Sequence, residues 1–347
     1  MQYFYDRDED TFHANDLVFP NAKFGMAVGF ASDNHGGKGK PLSLTTRDGG
    51  KTWETQKLPD AGVSAFFLNE SLGWLVGEKG VWRTEEGGRD WKRLKIPKEA
   101  NVVRVCFKDD QHGWAVGKHK TVIETRDGGK TWNDLAEASK PSTNPDYTTY
   151  SRMEWVNSKS GIILGFGMPP RRDDSDKPAW LEPDKASRRR QWPTMTIAIE
   201  TQDGGATWSA QSAPAFGVTT HFRATVDGYA LALIRFTESF DYPSEVYVSK
   251  PRGGGSARVF REKNRMVTDV AWWTPAKALI AAIEPPGQLH QLPVPGKLHI
   301  LTSTTLTKWD EMKVDYRAFG QKAMLAVVDE KNIWAGTDTG QILKLVS

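Results

Sequence analysis

Thr46-Arg-Asp-Gly-Gly-Lys-Thr-Trp53 is repeated, with few changes, as Thr84-Glu-Glu-Gly-Gly-Arg-Asp-Trp91, Thr125-Arg-Asp-Gly-Gly-Lys-Thr-Trp132 and Thr201-Gln-Asp-Gly-Gly-Ala-Thr-Trp208. The leading threonines are 38, 41 and 76 positions apart, so the last gap is close to two periods. A period of about 40 residues predicts stacked copies of one supersecondary unit. Within each copy, Asp followed by two glycines predicts a tight turn. The carboxylate bonds to the backbone ahead of it, and Gly takes positive φ without steric cost. Thr121-Val-Ile-Glu-Thr125 before the turn and Thr131-Trp132 after it have strand composition. Each octapeptide is therefore a hairpin tip set by Asp48, Asp127 or Asp203, with Trp53, Trp91, Trp132 or Trp208 packing behind it. The second copy has Glu86 for Asp and Asp90 for Thr, which predicts a looser turn.

A second motif sets the rest of the unit. Gly73-Trp-Leu-Val-Gly77 and Gly113-Trp-Ala-Val-Gly117 precede their octapeptides by 11 and 12 residues, with variants at Gly25–Gly29 and Gly161–Gly165. About nine residues earlier lies one more apolar strand: Leu17–Phe19, Ala65–Leu68, Val103–Phe107 or Arg152–Val156. Four antiparallel strands repeated radially make a propeller blade. Weaker copies run from Phe222 to Phe260, from Met266 to Met312 and from Lys322 to Val346. The last has three strands, and Gln2-Tyr-Phe-Tyr5 is a spare strand with nothing before it. Joining them closes the ring and removes an exposed edge. The expectation is one all-β domain over residues 1–347, a seven-bladed β-propeller of four-stranded antiparallel blades. Six or eight blades follow if one C-terminal unit is miscounted.

The octapeptides match the Asp-box, S/T-x-D-x-G-x-T-W, of the bacterial-neuraminidase-like repeat family. That resemblance implies a structural element at the blade periphery, away from any reactive centre. Each box supplies one carboxylate, fewer than a calcium loop needs, so no metal and no cofactor is expected.

The composition narrows the function classes. A net charge of +3 is too small to imply a nucleic-acid partner. Apolar content of 38% suits thin layers packed between blades. Cys106 stands alone in an innermost strand, as a small buried hydrophobe and not half of a disulfide. No apolar run approaches the length of a membrane span. The opening residues lack a basic segment and an apolar core, so the chain reads as cytoplasmic as written, or as periplasmic or secreted if a leader has been removed. A charged insertion at about 169–192 interrupts the fourth unit. It carries Arg171, Arg172, Arg188, Arg189 and Arg190 among Asp and Glu. Long insertions on rigid scaffolds often carry function, which makes it a candidate partner-binding flap beside the plainer reading of a solvated loop. A smaller insertion, 284–296, interrupts the sixth unit.

Using the second-strand Gly as a ruler, the position nine residues earlier holds Asp16, Ser64, Arg104 and Arg152. By strand pattern Arg223, Asp269 and Ala323 follow in the later units. Three residues on stand Phe19, Phe67, Phe107, Trp155, Val226 and Trp272. Alternation places the polar set on the opposite face, toward the channel, and Glu154 points the same way. Arg104, Arg152 and Arg223 from consecutive blades would suit a carboxylate, a phosphate or an acidic side chain. The alternative is that they pair with Asp16, Glu154 and Asp269 and simply line the channel.

Two function classes remain. Asp-boxes and an Arg triad are similar to those of sialidases, in which a Tyr–Glu pair and an Asp act. Here the N-terminal Phe-Arg-Ile-Pro signature is replaced by Asp16-Leu-Val-Phe-Pro20, and Tyr242 and Glu245 lie outside any matching motif. Gly-Trp-x-Val-Gly followed by Thr-x-Asp-Gly-Gly-x-Thr-Trp resembles the photosystem II assembly and stability factor family, most clearly over residues 63–132. That resemblance implies a non-enzymatic scaffold whose partner is a protein; the arginine cluster leaves an anionic small molecule or glycan as the other ligand class.

Overall fold

The computed structural model describes residues 2–5, 10–33, 39–168, 194–236, 242–250, 255–284, 287–289, 292–294, 296–315 and 317–345. The insertion at about 169–192, with Arg171, Arg172, Arg188, Arg189 and Arg190, lies outside them. Regular structure among the described residues is β-strand, apart from two short 3-10 turns, Ala136–Ser139 and Pro145–Tyr147. No helix among them is long and apolar enough to cross a membrane.

Antiparallel meanders follow one another along the chain. Asp10–Val18, Gly25–Asp33, Lys40–Thr46 and Glu54–Lys57 form the first sheet, and Gly62–Phe67 through Lys92–Arg93 the next. Two further meanders, starting at Asn101–Phe107 and Thr148–Trp155, touch through one backbone pair, Lys118 with Thr149. Others start at Val218–Ala224, Met266–Thr274 and Ala323–Asp329. Gln2–Phe4 pairs with Gln341–Leu345, so the first strand of the chain completes its last sheet. The first strand of each meander contacts the next in order, and Ala323–Asp329 contacts Asp10–Val18. This cyclic contact is that of an all-β propeller. The smaller insertion forms a hairpin of its own, Gly287–Leu289 with Leu292–Val294.

The Asp-box chemistry is visible atom by atom. Gly49 and Gly50 have φ of 74° and 86°. Asp48 Oδ1 accepts from the amides of Lys51 and Thr52 at 2.9 Å, and the Thr52 hydroxyl donates to Oδ2 at 2.6 Å. These bonds, the Thr52 hydroxyl first, hold the carboxyl at about 2 against an ordinary 3.8, and Asp127 and Asp203 behave alike. The second box lacks these carboxylate bonds, as its sequence predicts, but keeps the backbone shape. Gly87 and Gly88 keep φ of 61° and 82°, and the Thr84 hydroxyl still accepts from the Gly88 amide at 2.9 Å. The Thr hydroxyl and the two glycines are the elements that all four boxes share.

Packing is organised between sheets. Trp74 stacks on Phe107 of the next meander with ring centroids 3.6 Å apart, and Trp334 stacks on Phe19 at 3.7 Å. The box tryptophans Trp53 and Trp132 meet Phe19 and Phe107 edge-on. Trp74, Trp114 and Trp334 of the second strands are fully buried, whereas Trp53, Trp91 and Trp132 are half-buried and only Trp208 is enclosed. The box Trp is thus mostly a lid on the stack, and the second-strand Trp is its centre. Cys106 is buried, and burial pushes its thiol up to about 12.

Six of the first strands carry a β-bulge at one place, before Asp16, Ser64, Arg104, Arg152, His221 and Asp269. The bulge drives backbone toward the second strand, and the closing Gly of Gly-Trp-x-Val-Gly makes room for it. A Cβ on Gly117 would lie 1.8 Å from the Asn101 carbonyl oxygen, and one on Gly29 1.9 Å from that of His13. Gly117→Ala is expected to destabilise the fold by about 1–3 kcal/mol through forced backbone displacement. A denaturant midpoint unchanged from wild type would count against this.

Candidate functional site

The bulge corrects the sequence alignment of the inner positions. The residue after the bulge pairs with Val28, Val76, Val116, Leu164, Leu233 and Ala281 of the second strands. In the fifth unit that residue is His221, not Arg223. In the last unit, where no bulge is recorded at this place, Met324 opposite Gly336 takes the position assigned to Ala323. The counterpart of the packing aromatics in the fifth unit is Ala224, and Val226 is instead 73% exposed. Ala230 stands where a Gly would have marked the register.

Two polar layers result. Asp16, Ser64, Arg104, Arg152, His221 and Asp269 form the first. Glu154 and Arg223 occupy the position two residues farther along adjacent strands and pair with each other. Arg104 Nη1 lies 3.2 Å from Asp16 Oδ2, and Arg223 Nη2 lies 4.0 Å from Asp269 Oδ1. Arg104, Arg152, Arg223, Glu154, Asp16 and Asp269 are therefore gathered in one region. Lys322, which the sequence reading missed, joins them: its Nζ donates to the Asn15 carbonyl at 2.9 Å.

Much of the first layer also stitches neighbouring units. Asp16 Oδ2 accepts from the Ala65 amide at 3.2 Å, and Asp269 Oδ2 from the Leu325 amide at 2.8 Å. The Ser64 hydroxyl donates to the Val103 carbonyl at 2.9 Å, and Arg152 Nε to that of Thr220 at 3.1 Å. Pairing with the carboxylates leaves part of the cluster uncovered. The side chains of Arg104 and Arg223 retain 23% and 28% exposure, so solvent reaches them.

The electrostatics follow from crowding. Four cations, Arg104, Arg152, Arg223 and Lys322, stand against the carboxylates of Asp16, Glu154 and Asp269. Burial, then Arg104 and Arg223, push the Arg152 guanidinium well below its usual range. Burial also lowers Arg223 and Lys322. Burial and then Arg152 drive His221 well below its ordinary 6.5. Geometry agrees: Arg152 Nη2 donates to His221 Nε2, which leaves the ring proton on Nδ1, 3.0 Å from the Thr220 hydroxyl. A His kept neutral in the fold but free to charge when unfolded lowers stability as pH falls below 6.5. Each pH unit there costs at most about 1.4 kcal/mol. His221→Gln, which still offers Arg152 an acceptor, is expected to flatten the decline between about pH 7 and 5. Parallel melting-temperature profiles for the two proteins would contradict it.

The region opens at the far ends of the inner strands. A cavity of about 640 Å³ there is lined by Val18, Phe66, Ala271, Trp272 and Ala326, with Arg223 as its cation and Asp329 and Glu330 as its carboxylates. Trp272 Nε1 donates to the Arg223 carbonyl at 2.9 Å, fixing that corner. Glu245 and Tyr242 sit elsewhere. Glu245 is buried under Arg261 at 3.0 Å and accepts from the Tyr247 hydroxyl at 2.8 Å, while the Tyr242 ring lies under Arg261. Among the described residues no group of three or more His, Cys, Asp or Glu is placed to hold a metal ion.

Comparison with known proteins places the chain beside one family. A family model described as photosynthesis system II assembly factor YCF48 matches residues 88–166, which include Arg104, Arg152 and Glu154. The photosystem II assembly lipoprotein Ycf48 of Parasynechococcus marenigrum is 48% identical over 44 residues, 13% of either chain. That of Prochlorococcus marinus is 25% identical over 281 residues, 73% of either chain. The chain thus aligns with about an eighth of the first relative's length and nearly three quarters of the second's. A solved structure, YCF48 bound to D1 peptide, superposes with a TM-score of 0.63 at 16% identity over 99% of both chains. Sequence and fold agree on a photosystem II assembly-factor-like β-propeller.

Proposed function

We propose that this protein is a single-domain, seven-bladed, non-enzymatic propeller that holds an acidic segment of a partner protein at its channel mouth. The observation that carries the reading is the convergence of Arg104, Arg152 and Arg223, of which Arg223 lines a largely apolar cavity shared with Asp329 and Glu330. An apolar wall with a few convergent polar groups is the ordinary make-up of a recognition site. Arg223, held by Glu154 in the free protein, exchanges that carboxylate for one from the ligand. The blade count is supported by splitting the paired meanders at the lone Lys118–Thr149 contact. A protein partner is supported by the assembly-factor relatives and by the peptide bound to the similar YCF48 structure. Relatives named as lipoproteins support a location outside the cytoplasm. The locked Glu245 is a poor catalytic carboxylate, which supports binding over glycoside hydrolysis.

The test is capture from native extract with wild type, with Arg104→Ala/Arg223→Ala, and with residues 171–190 deleted. Wild type is expected to retain a protein that the double variant loses, and the deletion reports whether the charged insertion contributes. Equal capture by the double variant, or turnover of sialyl or other glycosyl substrates abolished by a Glu245 or Glu154 substitution, would overturn the proposal.

A further inference from the structure

A second recess lies at the opposite end of the inner strands, between the second and third meanders. It has a volume of about 900 Å³. Its floor is aliphatic, from Val63, Leu94, Ile96 and Val102, and Val63 is 38% exposed. Around it stand Lys79, Arg93, Lys95, Lys98 and Lys118, all exposed, against the single lining carboxylate Glu78. Among the described residues none of these five cations makes an ion pair. The Arg93 guanidinium is turned back onto the Lys79 carbonyl and the Trp82 ring.

The neighbouring unit shows what fills such a recess. Leu94 and Leu135 are counterparts: each amide donates to its own third strand, at Val81 and Val122. After Leu94 the chain takes only residues 95–100 to reach the next sheet. After Leu135 it takes residues 136–147, and the extra length folds inward as the 3-10 turn Ala136–Ser139. Leu135 and Ala138 are buried there, and the Tyr150 hydroxyl donates to the Ala138 carbonyl at 2.7 Å. Lys120, from the turn between second and third strands, donates to the Pro141 carbonyl at 2.7 Å. Lys79 occupies the matching turn in the second unit, and its ammonium has no recorded bond among the described residues. Beyond that shared Leu, the third unit plugs its recess with its own Ala136-Glu-Ala-Ser139, whereas the second leaves its recess open and rims it with cations.

We infer that this recess is a docking site for a short acidic segment of another protein, with small apolar side chains on the floor and carboxylates against the lysines. The charge of the rim and the composition of the neighbouring plug select that occupant. The floor offers no free aromatic face for stacking bases, since Trp82 is covered by Arg93. The site is separate from the channel mouth and stands or falls independently of it.

The test uses a fluorescein-labelled peptide copying Ala136–Ser139 and extended by two glutamates, titrated by fluorescence polarisation. Wild type is expected to bind it, and Lys95→Glu/Lys98→Glu to weaken binding by about tenfold or more. Lys308→Glu/Lys313→Glu, the same charge change on exposed residues of the sixth unit, is expected to leave it unaltered. Ile96→Ser tests the floor without changing charge and is expected to weaken binding. The inference is overturned if the peptide does not bind wild type, or binds Lys95→Glu/Lys98→Glu equally. It is likewise overturned if the two charge-reversal pairs act alike, or if a single-stranded oligonucleotide or an anionic vesicle displaces the peptide more readily than unlabelled peptide does.

Discussion

Trp74→Ala is expected to remove about 3–5 kcal/mol of stability, the cost of truncating a large, fully buried ring. Trp74 has no exposed surface and stacks on Phe107, which in turn carries Trp132 on its edge. The ring therefore joins the second meander to the third, in a layer with Val76, Val105, Ala115 and Ile123. Its removal opens a cavity where two rigid sheets meet, so the walls cannot collapse to fill it. Trp74→Phe separates ring loss from hydrogen-bond loss. Trp74 Nε1 has no hydrogen-bond partner, so Phe gives up area but no bond and is expected to cost well under half as much. Trp132→Ala, at a half-buried box Trp, should also fall below Trp74→Ala. Chemical denaturation of the three variants checks the order, and a Trp132→Ala loss equal to that of Trp74→Ala would show that the box Trp shares the centre of the stack.

That order could not be read from the octapeptide alone. The box announced the turn because its chemistry is local: two hydroxyls, one carboxylate and two glycines close on themselves within eight residues. The spacing of the boxes then made the repeat legible, and with it the fold class. Which Trp sits at a junction depends on how two sheets meet, and no spacing within one unit records that. The inner positions show the same boundary. The Gly ruler holds while a Gly marks the second strand, and it brought Asp16, Arg104 and Arg152 to one level. It slips in the fifth unit, where Ala230 replaces the Gly, so Arg223 was aligned in place of His221. Lys322 was missed because it sits just before its strand and reaches inward from there, a direction that strand alternation does not describe. The recess between the second and third meanders leaves no motif at all. Its signal is a linker shorter than its neighbour's, which becomes meaningful only once Leu94 and Leu135 are seen as counterparts.

The polar layer is also where a single charge should matter most. Asp269→Ala is expected to cost about 3–5 kcal/mol, because it breaks a buried charge arrangement from one side. The Asp269 side chain is 6% exposed. Oδ2 holds the Leu325 amide and Oδ1 the Val270 amide, each at 2.8 Å, so one side chain ties Met266–Thr274 to Ala323–Asp329. It also faces Arg223 at 4.0 Å and His221 at 3.6 Å. Without it, Arg104, Arg152, Arg223 and Lys322 are left, among the described residues, with Asp16 and Glu154. Asp269→Asn distinguishes the two roles. It keeps the shape and one oxygen acceptor but not the charge, and is expected to cost about 1–3 kcal/mol. If the remaining deficit is electrostatic, sulfate should restore more of the melting temperature in Asp269→Asn than it adds to wild type, since an anion reaching the cluster supplies the missing charge. Equal responses to sulfate would mean that Asp269 acts through its two backbone bonds alone, and that the guanidinium groups beside it are not open to an anion from the channel.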